Sequence, residues 1–185
     1  LSVIGWLSRD RILWDMNTDY EHKSTKNLCE HENGVRFSVH ITSKFKRVNS
    51  SLLVVNQSII SQWTTELDLL NVKYEIVNSR KKADDIDVSK HRLIIVIPTM
   101  YNRLLHHNRN VVWKRFIFDE PVNTNIPSMA SISANFYVLI TATPTQLLYQ
   151  SGSRGNHFLR SIFNYWMPSE YFNTIILKND IEYVK

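Results

Sequence analysis

The sequence has a single cysteine and only four glycines in 185 residues. Cys29 alone excludes an internal disulfide bond, and with His31 it offers too few ligands, too closely spaced, for a zinc site. No apolar run approaches the roughly 20 residues that a membrane-spanning helix needs. Arg9, Asp10 and Arg11 interrupt the first apolar segment early, so we expect no signal peptide. The composition therefore excludes disulfide-stabilised, zinc-stabilised and helical membrane classes.

The residues that are present describe an ordinary globular chain with a modest positive charge. Hydrophobic residues make up 43% of the sequence, and the formal net charge is +5. A chain of this length fits one domain and can bury a sizeable core. The charge is compatible with a polyanionic partner such as nucleic acid, although many proteins that bind no polyanion carry a similar charge.

Two apolar segments end in polar residues of chemical interest. Residues 115–118 lead into Asp119 and Glu120, and residues 136–140 lead into Thr141-Ala142-Thr143-Pro144. Short aromatic and β-branched runs of this kind are typical of buried strands. Open α/β sheets bind ligands at the carboxyl ends of their strands, so we expect these polar residues at one edge of a sheet. An acidic turn explains an isolated Asp-Glu pair equally well.

Other segments alternate between strand and helix patterns. Apolar runs predict strands at residues 51–55 and 92–97, and an alternating pattern predicts a strand at 72–77. Helical spacing predicts helices from a cap at Asn56 or Ser58 to Leu70, and from Thr99 to His107. This alternation predicts an α/β fold with a mainly parallel sheet and helices on both faces.

The remaining segments are less distinct. Residues 24–47 fit either a strand or a helix, and residues 79–89 form a charged stretch that predicts a loop without an apolar anchor. Toward the ends, the patterns predict a short helix or irregular lead-in at 1–11, a brief strand at 12–14, partial helix at 146–166 and a strand at 174–177.

The order of these pieces resembles the first RecA-like domain of a superfamily 2 helicase or translocase, and most closely the Swi/Snf-like helicases of large DNA viruses. The resemblance spans residues 12–148. Residues 52–67 resemble motif Ia, residues 97–104 resemble motif Ib, Asp119-Glu120 resembles motif II, and residues 141–144 resemble motif III. Four elements in this order are more specific than any one of them.

The resemblance implies ATP and Mg²⁺ as cofactors and assigns roles to the two carboxylates. Asp119 would hold Mg²⁺, and Glu120 would orient the attacking water. Thr141 and Thr143 would couple the nucleotide site to the nucleic-acid groove. Val122 departs from the acidic residue or histidine usual at the fourth position of motif II, which weakens this coupling.

The resemblance also implies contacts with the nucleic-acid backbone. Gln62 and Thr99 occupy positions that often make such contacts, and Arg103, Lys114 and Arg154 are basic residues that could meet phosphates. For each basic residue alone, a solvated surface side chain is the competing interpretation.

The phosphate loop is the point of departure from the family. A phosphate loop reads G-x-x-x-x-G-K-[ST], and its glycines let backbone N–H groups approach the phosphates. Residues 17–24 keep the spacing and end in Lys23 and Ser24, but Asn17 and His22 replace the glycines. Residues 33–37 are a poorer alternative. We therefore assign Lys23, Ser24 and Thr25 to cofactor binding, with Ser24 as a metal ligand, in a degenerate loop.

Negative charge makes that loop a poor phosphate site. Asp19 and Glu21 would stand where the triphosphate should lie, and a like-charge pair about 4 Å apart costs several kcal/mol at intermediate dielectric. We therefore expect nucleotide binding to be weak or lost, unless the nucleotide binds by a divergent route.

These features predict one RecA-like domain over residues 1–185, an N-terminal helicase lobe with a C-terminal extension at 149–185. No second lobe with its arginine finger is recognisable, so this chain alone should not be a competent helicase. DNA or RNA, a second RecA-like domain and a larger assembly are the implied partners, without a membrane. The alternatives are an inactive helicase-derived binding or scaffold module in a viral transcription complex or particle, and an unrelated α/β domain. The implied location is intracellular, in a virion or in the host cytoplasm or nucleus.

Overall fold

The computed structural model describes residues 3–9, 20–30 and 36–147. These residues form an α/β fold built on a mainly parallel seven-stranded sheet. Its strands are β1 (Tyr20–Glu30), β2 (Arg36–Arg47), β3 (Ser51–Val54), β4 (Glu75–Val77), β5 (Leu93–Val96), β6 (Val111–Asp119) and β7 (Ser133–Ile140). Four α-helices accompany them: α1 (Val3–Arg9), α2 (Ile60–Leu69), α3 (Arg80–Asp85) and α4 (Pro98–His107).

Five strands form the parallel centre of the sheet in the order β7-β6-β3-β5-β4. β3 lies between β5 and β6, with Leu53 opposite Ile95 on one side and Ile117 on the other. The end of β2 runs parallel to the start of β6, and β1 pairs antiparallel with β2. The predicted fold class is therefore confirmed.

The central strands are continuous apolar runs because both faces of the sheet are covered. Along β3 and β5 alternate side chains point to opposite faces, so that Leu52 and Ile94 belong to one core cluster and Leu53 and Ile95 to the other. Tyr101 and Leu104 of α4 and Ala83 of α3 pack in the first cluster. Ile4 and Leu7 of α1 and Leu67 of α2 pack in the second. Helices thus lie on both faces, as parallel sheets require.

Two local predictions need correction. Residues 79–89 are not a loop without an anchor: they contain α3 and a 3-10 turn at Val88–Lys90, and Ala83 and Val88 are buried. The Ser79 side chain caps α3 by accepting a hydrogen bond from the N–H of Lys82. At α2, neither Asn56 nor Ser58 caps the helix with its side chain, since a 3-10 turn at Gln57–Ile59 precedes it and Ile59 stands at the cap.

Several boundaries also differ from the patterns. The strand predicted at residues 72–77 is confined to Glu75–Val77. Residues 24–47, which fit either a strand or a helix, contribute the end of β1 and all of β2. The helix predicted from Thr99 to His107 is confirmed as α4, and the short helix in the first eleven residues as α1. The elements predicted at 12–14 and 174–177, and most of that at 146–166, lie outside the described residues.

Candidate functional site

The carboxyl edge of the parallel sheet gathers the polar residues that follow β3, β6 and β7. Val54 pairs with Phe118, and Asp119 pairs with Ile140. Asp119 is the last residue of β6, so Glu120 follows it directly, and Thr141 follows β7 in the same way. This register places both carboxylates and the threonines of residues 141–143 at one edge.

Asp119 is partly buried and is held by a helix residue. The Nε1–H of Trp63 on α2 donates a 2.7 Å hydrogen bond to Oδ2 of Asp119. Burial raises the pKa of Asp119 above its usual value, and the neighbouring negative charge of Glu120 also raises it. The hydrogen bond from Trp63 opposes this shift because it favours the ionised carboxylate.

Glu120 turns away from the strand in the left-handed backbone region, with φ of 51°. This conformation costs a residue with a Cβ about 1–2 kcal/mol. Its N–H still donates to the carbonyl of Ile140 at 2.8 Å, and its own carbonyl accepts from the N–H of Asn123 at 3.1 Å. A tight turn after β6 thereby offsets the backbone strain.

The Glu120 carboxylate joins the ends of β6 and β7. Oε1 accepts from the N–H of Ala142 at 3.2 Å, and Oε2 accepts from the hydroxyl of Thr141 at 3.3 Å. Oε2 also accepts from Nδ2 of Asn123 at 3.1 Å. Thr141 in turn accepts from the N–H of Thr143 at 3.1 Å. A change at Glu120 would therefore reach residues 141–143 directly.

Two residues at this edge escaped the sequence analysis. Trp63 falls within the segment that resembles motif Ia but was given no role of its own, and Asn56 was expected only to cap α2. Nδ2 of Asn56 instead donates to Oγ1 of Thr124 at 2.9 Å, which joins the end of β3 to the segment after β6. The available signal for Trp63 was its indole, because a buried tryptophan N–H usually finds an acceptor.

Of the side chains predicted to contact nucleic acid, some are exposed and one is already paired with a carboxylate. Gln62 on α2 and Thr99 in the first turn of α4 are exposed. Arg103 is already paired, since its Nε and Nη2 donate to the two carboxylate oxygens of Asp84 at 2.5 and 2.6 Å. This pair lowers the pKa of Asp84 and raises that of Arg103. A phosphate contact from Arg103 would have to displace Asp84.

Lys114 is not a surface cation. It lies within β6 and is 5% exposed, so the expectation that it meets a backbone phosphate needs correction. Its strand lies inside the sheet, with β3 on one side and β7 on the other. Arg154 lies outside the described residues.

Lys23, Ser24 and Thr25 lie in the middle of β1 rather than in a loop before a helix. They stand opposite Thr42, Ile41 and His40 of β2 in an antiparallel register. A phosphate cradle needs consecutive N–H groups that converge on one point, and an extended strand points them alternately to its two sides. The loop conformation expected of this segment is therefore wrong at residues 20–24. The binding roles of these three residues stay predictions.

Asp119 supplies a single carboxylate at this edge, and a metal bound there would need further ligands. Within residues 3–9, 20–30 and 36–147, no group of three or more His, Cys, Asp or Glu side chains could hold a metal by itself. Mg²⁺ does not need such a group, because it usually binds one or two carboxylates and completes its shell with water and phosphate oxygens.

Among residues 3–9, 20–30 and 36–147, no helix is long and apolar enough to cross a membrane.

The sequence matches no protein-family model and no curated protein.

Proposed function

We propose that this chain is a helicase-like domain of superfamily 2 type that acts on nucleic acid and uses Mg²⁺–ATP at the carboxyl edge of β6 and β7. The observation that carries the proposal is the pair of hydrogen bonds from Ala142 and Thr141 to the Glu120 carboxylate. In this kind of motor, motif II must report the state of the nucleotide to motif III. The contact at Glu120 supplies such a connection.

The two carboxylates have separate roles in this proposal. Asp119 offers Oδ1 to Mg²⁺ while Trp63 holds Oδ2, so the carboxylate keeps a fixed orientation. Glu120 orients the attacking water from a carboxylate fixed by three donors. When bound, Mg²⁺ neutralises charge on the phosphoryl group during transfer.

The phosphate-binding part of the proposal has the least support. Because Lys23–Thr25 are extended in β1, their backbone does not form a phosphate cradle. We therefore expect weak nucleotide affinity, and we expect efficient turnover to need a second RecA-like domain that supplies an arginine finger.

The extended conformation of Lys23–Thr25 also favours a second candidate function. A helicase-derived binding or scaffold module, in a viral transcription complex or particle, could keep the fold and a nucleic-acid surface without binding nucleotide. Such a module would not need a phosphate cradle. It would still use Gln62 and Thr99, both of which are exposed.

Titration calorimetry with ATP in the presence and absence of Mg²⁺ separates the two candidates. The first predicts saturable, Mg²⁺-dependent binding that weakens about tenfold or more in Asp119→Asn, since a charge-assisted contact contributes about 1.5–3 kcal/mol. Asp87→Asn is the matched control because Asp87 is an exposed aspartate in a different part of the fold. No binding at millimolar ATP would exclude the first candidate and leave the second.

Fluorescence anisotropy with labelled DNA and RNA tests the property that both candidates share. Affinity should fall linearly with the logarithm of salt concentration, because phosphate contacts release counterions. Gln62→Ala with Thr99→Ala should weaken binding, whereas Thr65→Ala, an exposed position on the same helix as Gln62, should not. Absence of binding to any nucleic acid at low salt would overturn both candidates.

A further inference from the structure

Two side-chain hydrogen bonds join the start of α2 to the end of β6 and the segment that follows it. Nδ2 of Asn56, just after the end of β3, donates to Oγ1 of Thr124 at 2.9 Å. The Nε1–H of Trp63, in the first turn of α2, donates to Oδ2 of Asp119 at 2.7 Å. We call residues 56–63, which these two bonds enclose, the tethered segment. Its position is therefore tied at both ends to the part of the chain that carries the two carboxylates.

The inner side of the tethered segment packs on the core. Ile59, Ile60 and Trp63 contact the core cluster that contains Leu67. Thr124, the acceptor of the first bond, is 4% exposed, and both tethering bonds are shielded in part from water. Hydrogen bonds in such surroundings are electrostatically stronger than those in open solvent. The segment therefore has a well-defined position at the edge of the sheet.

The outer side of the same segment is polar. Gln57, Ser58, Ser61 and Gln62 are exposed and carry uncharged amide or hydroxyl groups. Spacings of three and four residues place them on one face of a helical segment. Groups of this kind contact the phosphates and sugars of nucleic acid. Within this segment the sequence analysis assigned such a contact to Gln62 alone, and Gln62 directly precedes the tryptophan that holds Asp119.

The Trp63 bond fixes the orientation of the Asp119 carboxylate. With Oδ2 held, the carboxylate does not rotate freely, so a cation at Asp119 need not order it on binding. Ordering a side chain costs free energy, and a ligand that keeps the tethered segment in place removes that cost. Coupling between two sites is reciprocal, so a cation at Asp119 would in turn stabilise the position of the segment.

We propose that the tethered segment couples a cation at Asp119 to nucleic acid on its polar outer side, with Trp63 as the positioning residue. The proposal rests on the function proposed for this edge and names a connection within it. This connection differs from the one through Glu120, which reaches residues 141–143 and does not involve α2. The bonds from Asn56 and Trp63 carry it, because the segment cannot shift without stretching at least one of them.

Nuclear magnetic resonance with Mg²⁺ alone tests the cation half of the proposal. Titration with Mg²⁺ should shift the amide signal of Glu120 and, with the same midpoint, those of Ser58 and Gln62. In Trp63→Phe the Glu120 signal should still respond, at a higher Mg²⁺ concentration, but the responses of Ser58 and Gln62 should be lost. Trp6→Phe is the matched control, since it makes the same substitution in α1, and it should behave like the wild type.

An oligonucleotide tests the nucleic-acid half. The probe is the DNA or RNA strand that binds more tightly in the anisotropy experiment, and dialysis fixes the concentration of free Mg²⁺. The Mg²⁺ affinity read from the Glu120 signal should rise about fivefold when the oligonucleotide saturates the protein, an effect at the low end of ordinary coupling. Trp63→Phe should remove this difference.

The outcomes separate the coupling from the function on which it rests. A Glu120 signal that ignores Mg²⁺ would overturn the cation site and the coupling together. A response of Glu120 without Ser58 and Gln62 would overturn the coupling alone, as would an oligonucleotide effect that Trp63→Phe leaves intact. Asn56→Ala removes the other bond and should reduce the response of Ser58, which keeps the proposal testable should Trp63→Phe fail to fold.

Discussion

The Nε1–H of Trp63 donates a 2.7 Å hydrogen bond to Oδ2 of Asp119, across 56 positions of sequence. The bond joins α2 to the end of β6 at the edge where Glu120 meets Thr141. Trp63 also packs against the core cluster that contains Leu67. One side chain therefore anchors the helix and orients the carboxylate on which the proposed Mg²⁺ site depends.

Replacing Trp63 by phenylalanine should destabilise the protein by about 1–3 kcal/mol. The variant keeps an aromatic ring against the core but loses a hydrogen bond to an ionised group, which accounts for an effect of this size. It should also raise the pKa of Asp119 further, because the bond from Trp63 lowers it. Urea unfolding measures the first effect and carboxyl carbon resonances the second.

A double-mutant cycle separates the hydrogen bond from the loss of packing. The cost of Trp63→Phe should be smaller in an Asp119→Ala background, where no carboxylate accepts the bond. Equal costs in the two backgrounds would show that Trp63 stabilises the fold through packing alone.

Asp119→Asn should stabilise the protein at neutral pH in the absence of nucleotide and metal. The folded-state pKa of Asp119 is raised above its usual value of 3.8, chiefly by burial. The folded state therefore holds this proton more tightly than the unfolded state, and stability falls as pH rises from 3.8 through the folded pKa. Asparagine can still accept from Trp63 but carries no buried charge. Thermal unfolding of both proteins across this pH range should give curves that converge in acid.

Asp87→Asn is a control that should change stability at neutral pH in the opposite direction. Hydrogen bonds from the Ser89 side chain and backbone, and from Lys90, lower the pKa of Asp87 to about 2. Its contribution is present above pH 3.8 and is lost as pH falls toward 2. Asp87→Asn should therefore be destabilising at neutral pH and neutral in strong acid. A destabilising effect of Asp119→Asn like that of Asp87→Asn would contradict the burial argument.

The sequence was most informative where burial is uniform. β3, β5 and residues 116–118 of β6 appear as short apolar runs, because helices cover the sheet on both sides. The carboxyl ends of β6 and β7 could be aligned for the same reason: parallel neighbours end at the same edge. Asp119 and Thr141 were therefore expected near one another without any structural information.

Sequence reasoning failed where the tertiary position of one side chain decides the outcome. α3 was missed because five of its six residues are charged and only Ala83 anchors it, fully buried. Lys114 was taken for a surface cation although strand geometry buries it. The partnership of Trp63 with Asp119 joins distant positions, and no local pattern encodes it.

Arg103→Gln should loosen the contact between α3 and α4. Arg103 makes two hydrogen bonds to Asp84, and Nε2 of His107 lies 3.1 Å from the same carboxylate. Both partners are substantially exposed, so the effect on the free energy of unfolding of the whole protein should be small. Amide hydrogen exchange should nevertheless accelerate selectively in α3, a helix of only six residues.

The same variant separates a structural from a nucleic-acid role for Arg103. If Asp84 engages Arg103 permanently, Arg103→Gln should leave nucleic-acid affinity nearly unchanged while Asp84→Asn alters the exchange of α3 in the same way. A large loss of nucleic-acid affinity confined to Arg103→Gln would instead show that Arg103 leaves Asp84 to contact phosphate.

Trp6→Leu should destabilise the protein by up to about 2 kcal/mol because it removes a cation–π contact at a buried cation. The guanidinium carbon of Arg115 lies 4.2 Å from the centroid of the Trp6 ring, and Arg115 is only 5% exposed. The Trp6 side is partly exposed, so about 2 kcal/mol, the figure for a desolvated pair, is the upper end of the expected loss. Trp6→Phe should cost less, since phenylalanine keeps a weaker aromatic face. Urea unfolding should rank the proteins wild type, Trp6→Phe, Trp6→Leu, whereas Leu69→Ala, at an exposed position, should stay within about 0.5 kcal/mol of wild type. Equal losses for Trp6→Phe and Trp6→Leu would show that α1 is held by apolar packing of Ile4 and Leu7 rather than by Arg115.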